Sequence, residues 1–248
     1  MNLCDINKAL NVTIGDFIKN VNGVNEESIT DYLMWQWRKI DPSMQYYRTE
    51  ASSKHEEHYI TGADLKIEIW SVTRLGGKAL SLQAKKCLPQ YGSYRKAFRY
   101  GDPAKQQIDL LITHAIHATP PLNPCYLIYT LPDSGEKTKD GNEHIQDYGA
   151  FIANAYEIEK FADLNPRSHV SRADILKVSY PLHYIFCGIP SSKGTLNQTL
   201  FSETYERAQL PSYVQAVLNE AEPQQVKRLM EENGFKATDR LVVQFVED

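Results

Sequence analysis

Three features of the chain predict an α/β domain: amphipathic stretches of helical period, short apolar and aromatic runs bounded by prolines, and a two-strand pattern over Thr61 to Cys87. No internal repeat or low-complexity linker divides the sequence, so one domain carrying a C-terminal helical elaboration is expected, with the core over 1–205 and the extension over 206–248 packed on it. A chain of 248 residues, 42% hydrophobic and 23% charged, is long enough to bury a sizeable core. It holds no run of about 18 apolar residues, which speaks against a transmembrane helix. The first residues have no basic start followed by an apolar stretch, so no signal peptide is expected and the cytoplasm is the default location.

Taken in order, a helix is predicted from Ile6 to Asn20 and a second from Glu26 to Lys39. Asn25 is placed to cap the second, Glu26 and Glu27 lie in its first turn, and Pro42 ends it. A short polar strand is expected over Met44 to Thr49. Beyond the hairpin, the segment 90–101 passes from loop to helix, and a further helix runs from Pro103 to His117. Cys125 to Thr130 and Leu182 to Cys187 read as buried strands, with a helix over Asp147 to Phe161 between them. Residues 133–144 and 188–202 read as exposed loops. Helices at Ser212 to Glu220 and Gln224 to Asn233 follow, the latter stopped by Gly234, and Leu241 to Val246 forms a last strand.

The hairpin carries the most chemistry. Alternation puts Leu65, Ile67 and Ile69 on one face and Asp64, Lys66 and Glu68 on the other. On the second strand Leu80, Leu82 and Ala84 are apolar, and Ser81, Gln83 and Lys85 lie beside the acidic face. A turn at Gly76-Gly77 places Glu68 roughly opposite Gln83. From Lys85 to Lys105 the chain holds six cations, Lys85, Lys86, Arg95, Lys96, Arg99 and Lys105, against one acid, Asp102, with Tyr91, Tyr94, Phe98 and Tyr100 among them. Cations interleaved with aromatics suit a phosphate backbone and its bases. The net charge of −4 adds no general attraction to nucleic acid.

Other motifs fall away. His55-Glu-Glu-His58 has its histidines three apart, whereas the zinc-protease helix needs four. Leu75-Gly-Gly-Lys78 is too short for a phosphate loop, and a hairpin turn accounts for its glycines. His114 and His117 share a helix face without a further ligand nearby in sequence. The four cysteines, at 4, 87, 125 and 187, form no CxxC pair, and the last three read as buried free thiols.

Asp64 followed by Gln83-x-Lys85, with a helix acid at Glu27, resembles the PD-(D/E)xK or restriction-endonuclease-like nuclease superfamily, in a variant with Gln in place of Glu. More narrowly, Glu27-Ser-Ile-Thr30, Gly62-Ala-Asp64, Leu82-Gln-Ala-Lys85 and Gln107-Ile-Asp-Leu-Leu111 resemble an uncharacterised bacterial family of that fold, over roughly residues 25–190. The resemblance implies a central mixed sheet flanked by helices and a Mg²⁺-dependent phosphodiesterase, with Mn²⁺ as an alternative ion. Asp64, Gln83, the Ala84 carbonyl and Glu27 would hold the metal, with Glu68 as a second candidate acid, and Lys85 would orient water or stabilise the transition state. Lys86, Arg95, Lys96, Arg99 and Gln107 would meet the substrate, DNA in preference to RNA.

Three functions compete at this level. The first is an endonuclease serving as a bacterial antiviral defence effector, acting as a homodimer or with a partner subunit of such a system. The second is a catalytically inactive nucleic-acid binder that keeps the fold. The third is a protein-interaction subunit using Ser212 to Asn233. None involves a membrane.

Overall fold

A mixed sheet with helices on both faces organises the chain, which is described by a computed structural model over residues 3–21, 23–41, 47–48, 67–88, 93–98, 106–164, 169–187, 205–235 and 240–245. Two helices open it, α1 (Leu3–Asn20) and α2 (Glu26–Ile40). The strands are β1 (Tyr47–Arg48), β2 (Ile67–Val72), β3 (Gly76–Lys86), β4 (Asn123–Tyr129), β5 (Ala150–Asn154), β6 (Ser179–Pro181), β7 (Tyr205–Glu206) and β8 (Arg240–Phe245). Their order across the sheet is β1-β8-β2-β3-β4-β5-β6, with β7 paired to the start of β3. β2 and β3 are antiparallel, whereas β3 and β4 are parallel and are joined through the helix Gln107–His117, since a parallel pair needs a long crossover.

Alternation along the strands divides the core in two. Ile67, Ile69, Leu80, Leu82, Cys125, Leu127 and Ile152 face α1 and α2, which contribute Leu10, Ile14, Ile29, Leu33 and Trp37. On the opposite face Tyr126, Ile128, Phe151 and Ala153 lie under the helices Gln107–His117 and Ala155–Ala162. The same face continues as Trp70, Val72, Ala79, Leu241 and Val243 beneath Ser212–Leu218 and Pro223–Glu232. Both faces of β2 and β3 are therefore covered, and the polar side of the hairpin lies inside the protein.

α1 is anchored by its buried amides. Asn11 Nδ2 donates to Ala150 O at 2.9 Å, and its Oδ1 accepts from Ala150 N at 2.7 Å. Trp37 Nε1 donates to Asn7 Oδ1 at 2.7 Å, joining α2 to α1. The helix runs so close to the start of β5 that a Cβ at Gly15 would lie 2.3 Å from Asp147 O, and one at Gly149 would lie 2.4 Å from Gly15 N. Neither glycine can be replaced without moving backbone.

The structure departs from the sequence reading at five places. The helix expected over Asp147 to Phe161 is strand β5 followed by the helix Ala155–Ala162, which starts where Asn154 accepts from Tyr156 N. A fully buried apolar run carries no periodic signal to separate the two. The strand expected over Leu182 to Cys187 is a 3₁₀ turn, Leu182–Phe186, entered through β6. Cys187 is bonded to Cys4, with Cα atoms 4.5 Å apart, rather than being a free thiol, while Cys87 and Cys125 are free and buried. The short helix Arg172–Leu176 was not anticipated, although Ser171 and Asp174 form a capping box. Finally, the last strand lies between β1 and β2, parallel to β2, so the C-terminal residues enter the sheet itself rather than only packing on it. The loop expected at 188–202 and the strand-side residues 61–66 lie outside the described residues. Among the described residues, no helix is long and apolar enough to cross a membrane.

Two predictions follow from this packing. Reduction of the Cys4–Cys187 bond, which closes a sequence separation of 183 residues, should lower unfolding free energy by about 2–4 kcal/mol in urea titrations with and without reductant. Cys187→Ser should unfold like the reduced protein and ignore reductant. The second concerns His183, whose ring lies edge-on to Tyr148 and Tyr184, with Asn11 Nδ2 3.5 Å from its Nδ1. Burial, reinforced by Lys8 and opposed by Asp140, pushes its pKa down to about 4. The unfolded chain therefore takes the proton first as pH falls, so stability should drop between about pH 6.5 and 4. His183→Gln should flatten that part of the pH-stability curve.

Candidate functional site

The C-terminal end of β3 carries Gln83, Ala84, Lys85 and Lys86, paired in register with Tyr126, Leu127, Ile128 and Tyr129 of β4. Pairing with β4 orders this backbone, and alternation turns Gln83 and Lys85 toward the layer under the helix Gln107–His117. Gln83 is 0% exposed, and neither its Oε1 nor its Nε2 has a hydrogen-bond partner among the described residues. Lys85 is 9% exposed.

α2 brings the acid. Asn25 caps it by accepting from Ser28 N at 2.7 Å, which fixes the first turn against the end of β3. Glu26 Oε1 lies 3.5 Å from Lys85 Nζ, and its Oε2 accepts from the Lys86 backbone N–H at 2.5 Å. Lys86 Nζ in turn donates to Val24 O at 2.6 Å. Glu27 is exposed and, with Asn25, Glu26, Lys86, Ser93, Tyr94 and Ala97, lines an open cavity of about 460 Å³. Tyr94 is held beneath this cavity by donating its hydroxyl to Leu88 O. Cys87, next along the strand, is no nucleophile: burial pushes its thiol pKa well up, Glu26 pushes it further, and Lys85 opposes only in part.

The expected site residues thus fall into three groups. Lys86 and Glu27 line one cavity at the end of β3 and the start of α2, Lys85 meets Glu26 there, and Gln83 and Ala84 precede them on the strand, Gln83 in the layer under the helix Gln107–His117 and Ala84 in the layer under α2. Gln107 is buried at the start of its helix, on the same side of the sheet as Gln83. Arg95 and Lys96 begin a short helix, Arg95–Phe98, whose Ala97 reaches the cavity. Asp64 and Arg99 lie outside the described residues.

Glu68 does not meet Gln83. The β2–β3 turn centres on Arg74-Leu75, two residues before the glycine pair expected, so Glu68 pairs with Ser81. Its carboxylate accepts from Trp70 Nε1 at 2.5 Å and from Tyr213 Oη at 2.7 Å, tying β2 to the helix Ser212–Leu218. Gly76 and Gly77 are consequently strand residues, not the turn. Glycine is required at 76 because β7 passes so closely that a Cβ there would lie 1.9 Å from Tyr205 O.

Sequence reasoning missed Glu26. Both acids occupy the helix's first turn, and successive helical residues point about 100° apart. Only the packing of α2 on the sheet decides which one reaches Lys85. Among the described residues, no group of three or more His, Cys, Asp or Glu side chains is arranged to hold a metal ion. The Glu27 carboxylate on the cavity and the buried Gln83 carboxamide nevertheless carry oxygens of the hard type that Mg²⁺ takes.

An amide buried without partners costs about 1–3 kcal/mol, whereas an apolar group of the same shape does not. Gln83→Met should therefore raise stability by about 1 kcal/mol in urea unfolding. A loss of stability would mean that ordered water or another group already satisfies the amide.

Neither a curated protein nor a solved structure matches the chain. A family model matches residues 3–245, nearly the whole of the sheet and its helices; the chain belongs to the family of unknown function DUF6615.

Proposed function

We propose that this protein is a metal-dependent nuclease with a restriction-endonuclease-like core that hydrolyses phosphodiester bonds, of DNA in preference to RNA. The observation that carries the reading is the pairing of Lys85 with Glu26 at the end of β3, beside a cavity lined by Glu26, Glu27 and Lys86, with the buried Gln83 two residues back on the same strand. Asp64, Gln83, Glu27 and the Ala84 carbonyl would hold Mg²⁺ or Mn²⁺. When bound, the ion supplies charge relief on the phosphate and an activated water. Lys85 would stabilise the negative charge that develops on the phosphate, which a cation does best where water is largely excluded. Lys86, Arg95, Lys96 and Arg99 would meet the phosphate backbone, and Gln107 would brace Gln83's side of the sheet.

A role as a cytoplasmic defence effector, alone, as a homodimer or with a partner subunit, extends this reading. In that compartment Cys4 and Cys187 would stand largely as a dithiol, since cytosolic thiols are kept reduced. One observation favours a second function, an inactive nucleic-acid binder. Gln83 contributes no charge, and Glu26 is already engaged by Lys85 and by the Lys86 amide.

Purified protein incubated with plasmid DNA and with RNA, in Mg²⁺, Mn²⁺ or EDTA, separates the two. The nuclease should cut only with metal, and Asp64→Ala and Lys85→Ala should each lower the rate about 100-fold or more while leaving the unfolding curve cooperative. Metal-independent binding without cleavage would refute the enzyme and support the binder.

A further inference from the structure

We infer that Glu26 is a positioning residue for Lys85 and that the two adjacent acids of α2 divide the work, Glu26 aiming the lysine while Glu27 faces the cavity. This rests on the nuclease reading of the site. A lysine side chain is a flexible stem with a compact charge, and its orientation must be set by something fixed. Glu26 is fixed twice over. Its Oε2 accepts from the Lys86 backbone N–H at 2.5 Å, which leaves Oε1 facing Lys85 Nζ at 3.5 Å. The Asn25 cap and the Lys86 Nζ to Val24 O bond hold the helix start and the strand end together around this contact.

The position also suits a carboxylate. Glu26 is the first residue of α2, where the helix dipole favours negative charge. Its side chain is 21% exposed and that of Lys85 11%, so water screens the pair less than at an open surface. Glu27, one residue on, is exposed and turned to the cavity. A single residue of helical rotation thus separates an acid that grips the strand from an acid that lines the cavity.

Glu26→Gln tests this, because the amide keeps an oxygen for the Lys86 N–H and removes the charge that faces Lys85. For cleavage of plasmid DNA, kcat should fall roughly 10- to 100-fold, with KM for DNA and the Mg²⁺ concentration at half-maximal rate unchanged. Glu27→Gln should instead raise the Mg²⁺ concentration required, and should weaken Mn²⁺ binding measured by calorimetry, which Glu26→Gln should not. A second measurement needs no activity: unfolding of Glu26→Gln, Lys85→Met and the double variant should be non-additive. Cleavage by the wild type that Glu26→Gln leaves intact, or strictly additive unfolding, overturns the role of Glu26 and leaves the nuclease reading standing. Absence of cleavage by the wild type with every metal overturns the nuclease reading, while non-additive unfolding would still support Glu26 as the residue that holds Lys85.

Discussion

β3 is an interior strand, paired with β2 as far as Leu82 and with β4 from Leu80 to Lys86, its two faces both covered, and that constraint governs the rest of the structure. A polar side chain on such a strand cannot turn to water and must find a partner within the protein or in a ligand. The hairpin's polar stripe resolves this demand differently along its length. Glu68, at one end, is closed off by Trp70 and Tyr213. Lys85, at the other, is met by Glu26. Gln83, between them in the layer, has neither donor nor acceptor met. A uniform polar face in the sequence becomes two partnered ends and an unpartnered position between them.

The same constraint binds the two ends of the chain to the sheet. β8 supplies the neighbour that β2 lacks on its outer edge, and the helices Ser212–Leu218 and Pro223–Glu232 cover Trp70 and Val72 on the way to it. Burial and the nearby Glu68 carboxylate both push the Tyr213 hydroxyl pKa well up, so it stays a hydrogen-bond donor throughout the range in which the protein is folded. At the other end, α1 reaches β5 through Asn11 and the 3₁₀ turn through Cys4 and Cys187. Removing the C-terminal segment would thus open a sheet edge beside the candidate site and expose buried aromatic surface, which is a different matter from deleting an appended module.

What could be read in the sequence was whatever chain-local physics decides. Helix α2 starts at Glu26 because Asn25 caps it, and the helix Pro223–Glu232 stops at Gly234 because a positive φ of 82° there favours glycine. The hairpin's apolar faces followed from alternation alone. What could not be read is set by partners distant in sequence. Ala150–Asn154 is a strand because β4 and Asn11 take its backbone groups, and nothing in its fully apolar run says so. The glycines at 76 and 77 look like a turn until β7, more than a hundred residues later, is seen to pass over them. Cys4 and Cys187 meet only once α1 has docked on the 3₁₀ turn. Glu26 and Glu27 have almost the same local sequence signal, and the face of α2 that meets β3 separates them.

This geometry also gives a physical account of glutamine at position 83, where the resembled superfamily most often has glutamate. A carboxylate there would be fully buried, and the adjacent cation on the strand, Lys85, already faces Glu26. An ion in low dielectric without its own counter-charge costs several kcal/mol, more than the one to three of an unmet amide. Placing the negative charge on α2 instead puts it where the helix dipole favours it and where part of each side chain still touches water. The two acids at the start of α2 lie beside the two lysines at the end of β3, so that no second carboxylate joins Glu68 in the buried layer. Gln83 is on this argument the side chain that such a sealed strand can carry, since its neutrality spares β3 a buried carboxylate without a counter-charge.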